Sequence, residues 1–369
     1  MTNISNKRAK SYWRRKYALT LSGLALSFIL LAALQLSGLS TVFKDIAFNL
    51  CANIYLQLAA YLFLFSLAVS AVILPLNFYE SFILEHRFNL SNQSISDWVR
   101  DEMKSGFISF ILFLILIEAF YAIAMKFPGI WWIVAAVFWI FISVVLAKVF
   151  PIIVIPLFFK YRKLSDGMLR DRALKLAERF NMKVTDVFEI DFSKKTKKAN
   201  AAIVGWGSGR RIILADNLIR EFSQEEVEVV LAHELAHQKL KHMWKLLYLS
   251  AATILFLFFI LGKVLPGLSV MLHAQGPFDI AIFPSIYLIF IVYELLMMPV
   301  QNGISRKLEN DADIMALKAT GLKEPFISLM NKLAEKNLSD KEPNFIIEIL
   351  FYSHPSIAKR IKLAENISL

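Results

Sequence analysis

The sequence predicts an α-helical integral-membrane bundle of about six spans, joined to a polar domain that is mostly helical and contains a small β-sheet. Hydrophobic residues make up 57% of the 369 positions and include 31 Phe, which is typical of a membrane protein. Lysine and arginine concentrate in alternate connections between the apolar stretches. A spanning helix needs about 20 predominantly apolar residues. Six stretches qualify, near residues 17–40, 54–78, 106–125, 130–158, 245–262 and 278–300.

The N-terminal segment is strongly basic and precedes the first apolar stretch. Its charges are Lys7, Arg8, Lys10, Arg14, Arg15 and Lys16. A secretory signal has a shorter apolar region and a small-residue cleavage site, and this sequence shows neither. We therefore expect the first span to act as a membrane anchor.

The charge distribution predicts the topology. An even number of spans places both termini and the large polar regions on one side, while the opposite connections carry only Lys44, Lys126 and Lys263. By the positive-inside rule, we expect the basic side to be cytoplasmic. Topology and anionic lipid then account for the net charge of +11. We expect no nucleic-acid partner, because no RNA-binding motif accompanies the charges.

The spans divide the chain into four predicted parts. The polar domain is expected to begin with a helix over Leu164–Asn181. Two β-type runs, Asn200–Val204 and Arg211–Leu214, flank the turn-rich residues 205–209 and predict a hairpin. The parts are a four-span membrane domain (1–159), the first half of the polar domain (160–244), two further spans (245–300) and the second half of the polar domain (301–369).

The chemical signal is the sequence His233-Glu234-Leu235-Ala236-His237. Ser223-Gln224-Glu225-Glu226 upstream has the spacing of a helix capping box, which predicts that the motif is helical. Residues four apart share a helix face, so both imidazoles can bind one Zn²⁺ while Glu234 approaches its water. The chain has one cysteine, Cys51, so a metal site must use histidine and carboxylate. This pattern indicates zinc-dependent hydrolysis of a peptide bond, with Glu234 as general base.

A catalytic zinc needs a third protein ligand. Glu309-Asn310-Asp311-Ala312-Asp313 supplies a candidate, because Glu309 and Asp313 are four apart on an expected helix. We predict that Glu309 binds the metal while Asp313 orients a ligand imidazole. Without the histidine motif, the same residues would be read as a solvated acidic stretch.

Four further histidines have different expected roles. His242 follows His233 by nine positions. On one continuous helix with 3.6 residues per turn, this spacing puts the two side chains on opposite sides, so we expect His242 to face away from the metal and to be structural or interfacial. No role is assigned to His86 and His273. His354, in Ser353-His354-Pro355-Ser356 and followed by Arg360, is expected to donate a hydrogen bond to the developing oxyanion.

The motif helix is expected to run through Lys239 and Lys241 straight into the fifth span, which would put the metal at the cytoplasmic mouth of the bundle. The polar residues that flank the motif argue against a protease that cuts within the bilayer. Glu118 and Glu294 do lie inside spans. Either a wet functional cavity or a polar contact between helices would explain them.

Taken together, these residues resemble the type I CAAX prenyl proteases, integral-membrane zinc endopeptidases of gluzincin type. The likeness extends through most of the chain. It includes Phe82-Ile83-Leu84-Glu85-His86-Arg87-Phe88, Asn200-Ala201, the helix from Glu226 to His237, Ser305-Arg306-Lys307-Leu308-Glu309 with Asp313, and His354-Pro355 with Arg360.

The resemblance implies zinc ligation by His233, His237 and Glu309, with Glu234 as the base. It also implies that the strand at Asn200 and Ala201 pairs with the substrate by strand addition. By the same resemblance, His354 and Arg360 hold the substrate carbonyl or the transition state, and a water-filled chamber lies among the helices, lined by Glu118 and Glu294. Two departures are Ala236, where the family usually has glycine, and six spans where its best-known members have seven.

The function expected from these features is endoproteolysis at the cytoplasmic face, on peptides or membrane-associated proteins, including prenylated ones. An HtpX-like protease for membrane-protein quality control is the alternative within the enzyme class. A zinc transporter or channel is a third reading, but a transporter should hold its metal near the midplane. An inactive scaffold would be expected to lack the base or a ligand, and this chain retains Glu234 with both histidines.

Overall fold

The computed structural model describes residues 3–205 and 207–368. Within these residues, six helices are long and apolar enough to cross a membrane, which confirms the predicted number. All but Trp131–Phe158 extend beyond their apolar stretches at one end or both, because polar flanking residues remain helical. The candidate spans are Lys7–Leu36, Ile54–Arg87, Ile95–Lys126, Trp131–Phe158, His242–Met271 and Ile280–Thr320.

The described residues before Phe159 form helices joined by short connections. The α-helices are α1 (Asn3–Leu36), α2 (Leu39–Leu50), α3 (Ile54–Phe78), α4 (Glu85–Arg87), α5 (Ile95–Lys126), α6 (Trp131–Val149) and α7 (Ile155–Phe158). π-Helical turns join α3 to α4 (Tyr79–Leu84) and α6 to α7 (Phe150–Val154). The 12 residues of α2 rise about 18 Å, which is less than the hydrocarbon thickness of about 30 Å. Helix α2 is therefore too short to span.

Aromatic side chains fill the centre of the bundle. Tyr61 and Phe65 on α3 pack edge-on against Phe283, with ring centroids 6.4 and 5.2 Å apart. Near the end of the bundle away from the polar domain, Lys44 Nζ lies 2.8 Å from Asp279 Oδ1. Because both side chains are largely buried, the opposite charges compensate each other's loss of contact with water.

The polar domain contains a four-stranded sheet within the described residues. Its strands are β1 (Tyr161–Lys163), β2 (Asp186–Ile190), β3 (Ala201–Val204) and β4 (Arg211–Ala215), in the order β1-β2-β4-β3. Strands β2 and β4 are parallel, and the other pairs are antiparallel. The predicted hairpin is β3–β4, with Ala201 opposite Leu214. A Cβ on Gly205, which has a φ of +92°, would lie 2.5 Å from Gly209 O, so this turn requires glycine. Trp206 lies outside the described residues.

The remaining α-helices are α8 (Gly167–Arg179), α9 (Asp216–Glu221), α10 (Gln224–Lys239), α11 (His242–Met271), α12 (Phe283–Thr320), α13 (Lys323–Lys336), α14 (Phe345–Phe351) and α15 (Ile357–Asn366). Helix α11 is the fifth candidate span and α12 forms most of the sixth. The helices of the polar domain pack together with the sheet. Their shared core includes Ile212, Leu214, Leu235 and Phe326, all fully buried. The capping box predicted for α10 is present, with Ser223 and Glu226 each bonding the other's backbone N–H. The boundaries of the four predicted parts stay predictions.

The expectation that the motif helix runs straight into the fifth span is wrong. Helix α10 ends at Lys239, and Lys241 adopts a left-handed conformation with a φ of 55° before α11 begins at His242. A left-handed residue cannot continue a right-handed helix, so the chain changes direction. By contrast, α12 runs 38 residues from the sixth span into the polar domain.

Candidate active site

The two motif histidines and Glu309 meet between α10 and α12. The Nε2 atoms of His233 and His237 lie 3.0 Å apart. Glu309 Oε2 lies 3.2 Å from His233 Nε2, and Oε1 lies 3.4 Å from His237 Nε2. A tetrahedral zinc site with bonds of roughly 2.0–2.1 Å separates its ligand atoms by about 3.3 Å. The structure therefore brings together the three predicted ligands at distances that fit one metal ion.

The surroundings of Glu309 also favour a cation. Its side chain is 9% exposed, and apart from the imidazole of His233, Oε2 has no hydrogen-bond partner among the described residues. A buried carboxylate without hydrogen bonds is costly unless a positive charge compensates it. Two imidazole nitrogens and one carboxylate oxygen, with space for a further ligand, are the donor set of many catalytic zinc sites.

Asp313 links the site to α15. Its fully buried Oδ1 lies 2.9 Å from His233 Nδ1. Both oxygens also accept from Arg360, with Nε–Oδ2 and Nη2–Oδ1 distances of 2.7 Å. Burial lowers the pKa of His233, but Asp313 and Glu309 outweigh burial and raise it to about 9. Because Asp313 faces Nδ1, Nε2 is the nitrogen that points at the site, as a metal ligand requires.

Glu234 lies beside the two motif histidines on α10. Burial raises the pKa of its carboxyl group above the usual value. A carboxylate with a raised pKa is a better proton acceptor, so this environment suits a general base.

A cleft of about 150 Å³ adjoins these residues. Its wall includes Asn200, Ala201, His233, Glu234, His354 and Arg360, so the predicted substrate-binding and catalytic residues share one cavity. His354 Nε2 lies 3.4 Å from Glu309 Oε1, and its Nδ1 lies 2.9 Å from Ser353 Oγ.

Strand β3 forms the open edge of the sheet beside this cleft. Ala215 N–H donates to Asn200 O at 3.0 Å, so Asn200 turns its backbone towards β4. Alternate residues of an antiparallel strand point the other way. The carbonyl of Ala201 and both backbone groups of Ile203 therefore face the open edge, while Ala201 N–H donates to Asn200 Oδ1 at 2.9 Å.

The expectation that His242 faces away from the metal is wrong. Its Nδ1 lies 3.0 Å from His237 Nδ1, and its side chain is buried. The prediction assumed one continuous helix. The helix breaks at Lys241 instead, and the break places the side chain of His242 against that of His237. The polar run Gln238-Lys239-Leu240-Lys241 between two helical segments was the available signal for this break.

The other polar residues lie away from this cluster. Glu294 lines a cavity of about 340 Å³ in the bundle with Thr253, Tyr293 and Gln301, and Glu118 is not among its lining residues. His86 and His273 are exposed.

Comparison with known proteins identifies the family. The model described as peptidase family M48 matches residues 163–368, more than half of the chain. The chain belongs to peptidase family M48. Residues 1–160 match a second model, described as the CAAX prenyl protease N-terminal region with five membrane helices. In the described part of that range, four helices are long and apolar enough to cross a membrane, one fewer than that description names.

Curated M48 relatives resemble most of the chain. An uncharacterized metalloprotease of Bacillus subtilis, YhfN, is 29% identical over 97% of this chain and 85% of its own length. The CAAX prenyl protease 1 homolog of Arabidopsis thaliana is 31% identical over 79% of this chain and 70% of its own length. The yeast CAAX prenyl protease 1 is 28% identical, with coverages of 85% and 73%.

The fold also matches a solved structure. The crystal structure of S. mikatae Ste24p superposes with a TM-score of 0.89 at 24% identity, covering 99% of this chain and 90% of that chain. The chain is therefore a CAAX prenyl protease-like membrane metalloendopeptidase with a helical bundle and an M48 domain. Family membership implies a metal ion, and the cluster of His233, His237 and Glu309 fits one.

Proposed function

We propose that this chain is a zinc endopeptidase that binds Zn²⁺ through His233, His237 and Glu309 and uses Glu234 as its general base. The observation that carries the proposal is the spacing of the three side chains. The two imidazole Nε2 atoms lie 3.0 Å apart and the two Glu309 carboxylate oxygens lie 3.2 and 3.4 Å from them, close to the edge of a zinc tetrahedron. When bound, zinc would lower the pKa of a water towards about 7 and polarise the scissile carbonyl.

The protein side chains transfer the proton, orient a metal ligand and stabilise the developing negative charge. Glu234 takes a proton from the attacking water and passes it to the leaving amine. Asp313 holds His233 through Nδ1, so that Nε2 stays directed at the metal. His354 donates a hydrogen bond to the oxygen that becomes negative, and Arg360 contributes positive charge to the cleft wall.

The open edge of β3 supports a binding mode for the peptide. An extended substrate would add a fifth, antiparallel strand by bonding to Ala201 O and to the backbone of Ile203. Such main-chain bonds are independent of the side-chain sequence. They also place the peptide along the wall that leads to Glu234.

The proposed location is the cytoplasmic face of a membrane, with the N-terminus and the C-terminus on the same side. The distribution of Lys and Arg supports this orientation through the positive-inside rule. The proposed substrates are membrane-associated peptides or proteins with a prenylated C-terminus, because curated relatives are CAAX prenyl proteases. Quality control of membrane proteins is the competing role.

A comparison of two peptides separates these roles. The purified protein in detergent is incubated with a farnesylated CAAX peptide and with the same peptide lacking the lipid. Preference for the farnesylated peptide, measured as kcat/KM, supports prenyl-protein processing. Equal or faster cleavage of the unprenylated peptide contradicts that role and supports broader proteolysis. Metal analysis of the purified protein tests zinc, and about one zinc per chain is the expected result.

A further inference from the structure

The position of the His354 side chain depends on the backbone of the loop that carries it. His354 lies in the short connection between α14 and α15, and its side chain is 58% exposed. Its Nε2 lies 3.4 Å from Glu309 Oε1. An exposed imidazole keeps a fixed position only if its loop is fixed, so the groups that hold residues 348–356 determine where Nε2 points.

Arg306 on α12 holds the N-terminal side of this loop. Its Nη1 donates to Glu348 O at 2.8 Å and to Tyr352 O at 2.6 Å, with Ile349 O 3.4 Å away. The last carbonyls of a helix have no partner within the helix and carry partial negative charge, so a guanidinium suits the end of α14. Asn302, one turn earlier on α12, donates from Nδ2 to Leu350 O at 2.6 Å.

The C-terminal side of the loop is held as well. Glu348 Oε1 accepts from Ser356 N at 3.2 Å, which ties the end of α14 to the start of α15. Arg360 on α15 bonds both oxygens of Asp313. The loop that carries His354 is therefore attached to α12 on both sides. The attachments are Asn302 and Arg306 at the end of α14, and Asp313, which binds Arg360 of α15.

One face of α12 carries all of these attachments. Asn302, Arg306, Glu309 and Asp313 are spaced by four, three and four residues, which places them on one side of a helix. Helix α12 therefore carries both the carboxylate predicted to bind the metal and the side chains that hold the loop of His354. Its rotation or translation would move Glu309 and His354 together.

We propose that Arg306 is a positioning residue for His354, which it holds near the metal ligands through the C-terminal turn of α14. This inference rests on the proposed function, since His354 needs a fixed position only if it stabilises the transition state. A group that acts in the transition state loses up to about 100-fold in rate when displaced by 1 Å.

A double-mutant cycle on kcat tests the inference. Arg306→Gln, His354→Ala and the double variant are compared with wild type, with Lys307→Gln as the matched control because it removes one positive charge from the exposed side of the same turn. Arg306→Gln is expected to lower kcat by about 10- to 100-fold with KM and zinc content little changed. In the His354→Ala background, the same substitution is expected to have almost no further effect.

Arg306→Lys provides a second variant if glutamine prevents folding. Lysine retains a charged donor that can reach one carbonyl, so it should recover part of the lost kcat. Independent, multiplicative losses in the double variant would overturn the inference, as would Arg306→Gln with wild-type kcat or a loss of zinc. A wild-type rate for His354→Ala alone would instead refute the role proposed for His354.

Discussion

Replacing Asp313 by asparagine removes one negative charge from the centre of the site with little change in shape. The carboxylate is fully buried and faces His233 Nδ1 at 2.9 Å. It also receives two bonds of 2.7 Å from Arg360. All three facing groups are donors, so the amide NH₂ of asparagine must point at a donor in either orientation.

The size of the effect follows from these contacts. Removing one partner of a buried ion pair costs about 3–5 kcal/mol, because the Arg360 charge remains buried without compensation. Loss of the carboxylate behind a ligand histidine typically weakens metal affinity by about 10- to 100-fold. We therefore expect Asp313→Asn to unfold at a lower temperature and to bind zinc more weakly.

Thermal unfolding in detergent and zinc titration against a competing chelator measure the two effects. Asp311→Asn is the matched control, since it makes the same chemical change two residues away on α12, off the face that carries Asp313. If Asp313→Asn binds zinc as tightly as Asp311→Asn, Asp313 does not orient His233 and the reasoning is refuted.

Three further predictions concern other parts of the polar domain. His242→Leu should weaken zinc affinity by about 10- to 100-fold, whereas His242→Asn keeps an acceptor for His237 and should retain most of it; equal affinities would contradict the contact, and His273→Asn is the control. Ile203→Pro removes an N–H from the open edge without breaking the β3–β4 ladder and should lower kcat/KM more than Ile203→Ala; equal effects would contradict strand addition. The Arg170 guanidinium, Val187 N–H and Lys163 hold the pKa of Asp186 well below its usual range. Stability from Asp186 is therefore present above the unfolded-state pKa and lost as pH falls, so Asp186→Asn should flatten the acid side of the Tm–pH profile, and an unchanged profile would contradict this.

The membrane helices and the helical His-Glu-x-x-His motif are predictable because their signals are local. Apolar length alone defines a span, and the spacing of His233 and His237 needs only one regular helix. The β3–β4 hairpin was likewise visible from two apolar runs around a glycine-rich turn. In each case the residues that decide the structure are neighbours in sequence.

The missed features depend on tertiary structure. The contact between His242 and His237 requires the left-handed Lys241, and helical periodicity cannot show where a helix breaks. Arg306 belongs to the segment that resembles the family, but the sequence does not indicate its partners, because they are backbone carbonyls at the end of α14, more than 40 residues away. The family resemblance implies that His354 holds the substrate carbonyl or the transition state, but it does not indicate which residues hold the loop of His354.

The central claim is that Glu234 acts as the base beside a metal held by His233, His237 and Glu309. Cleavage of a hydrophobic peptide and zinc content are measured together for wild type, Glu234→Gln and Glu309→Gln, with a chelator-treated sample for comparison. We expect Glu234→Gln to retain zinc but to lose about 100- to 10,000-fold in kcat. We expect Glu309→Gln and the chelated protein to lose zinc and activity together. Wild-type cleavage by Glu234→Gln, or full zinc content in an inactive wild type, would contradict the account.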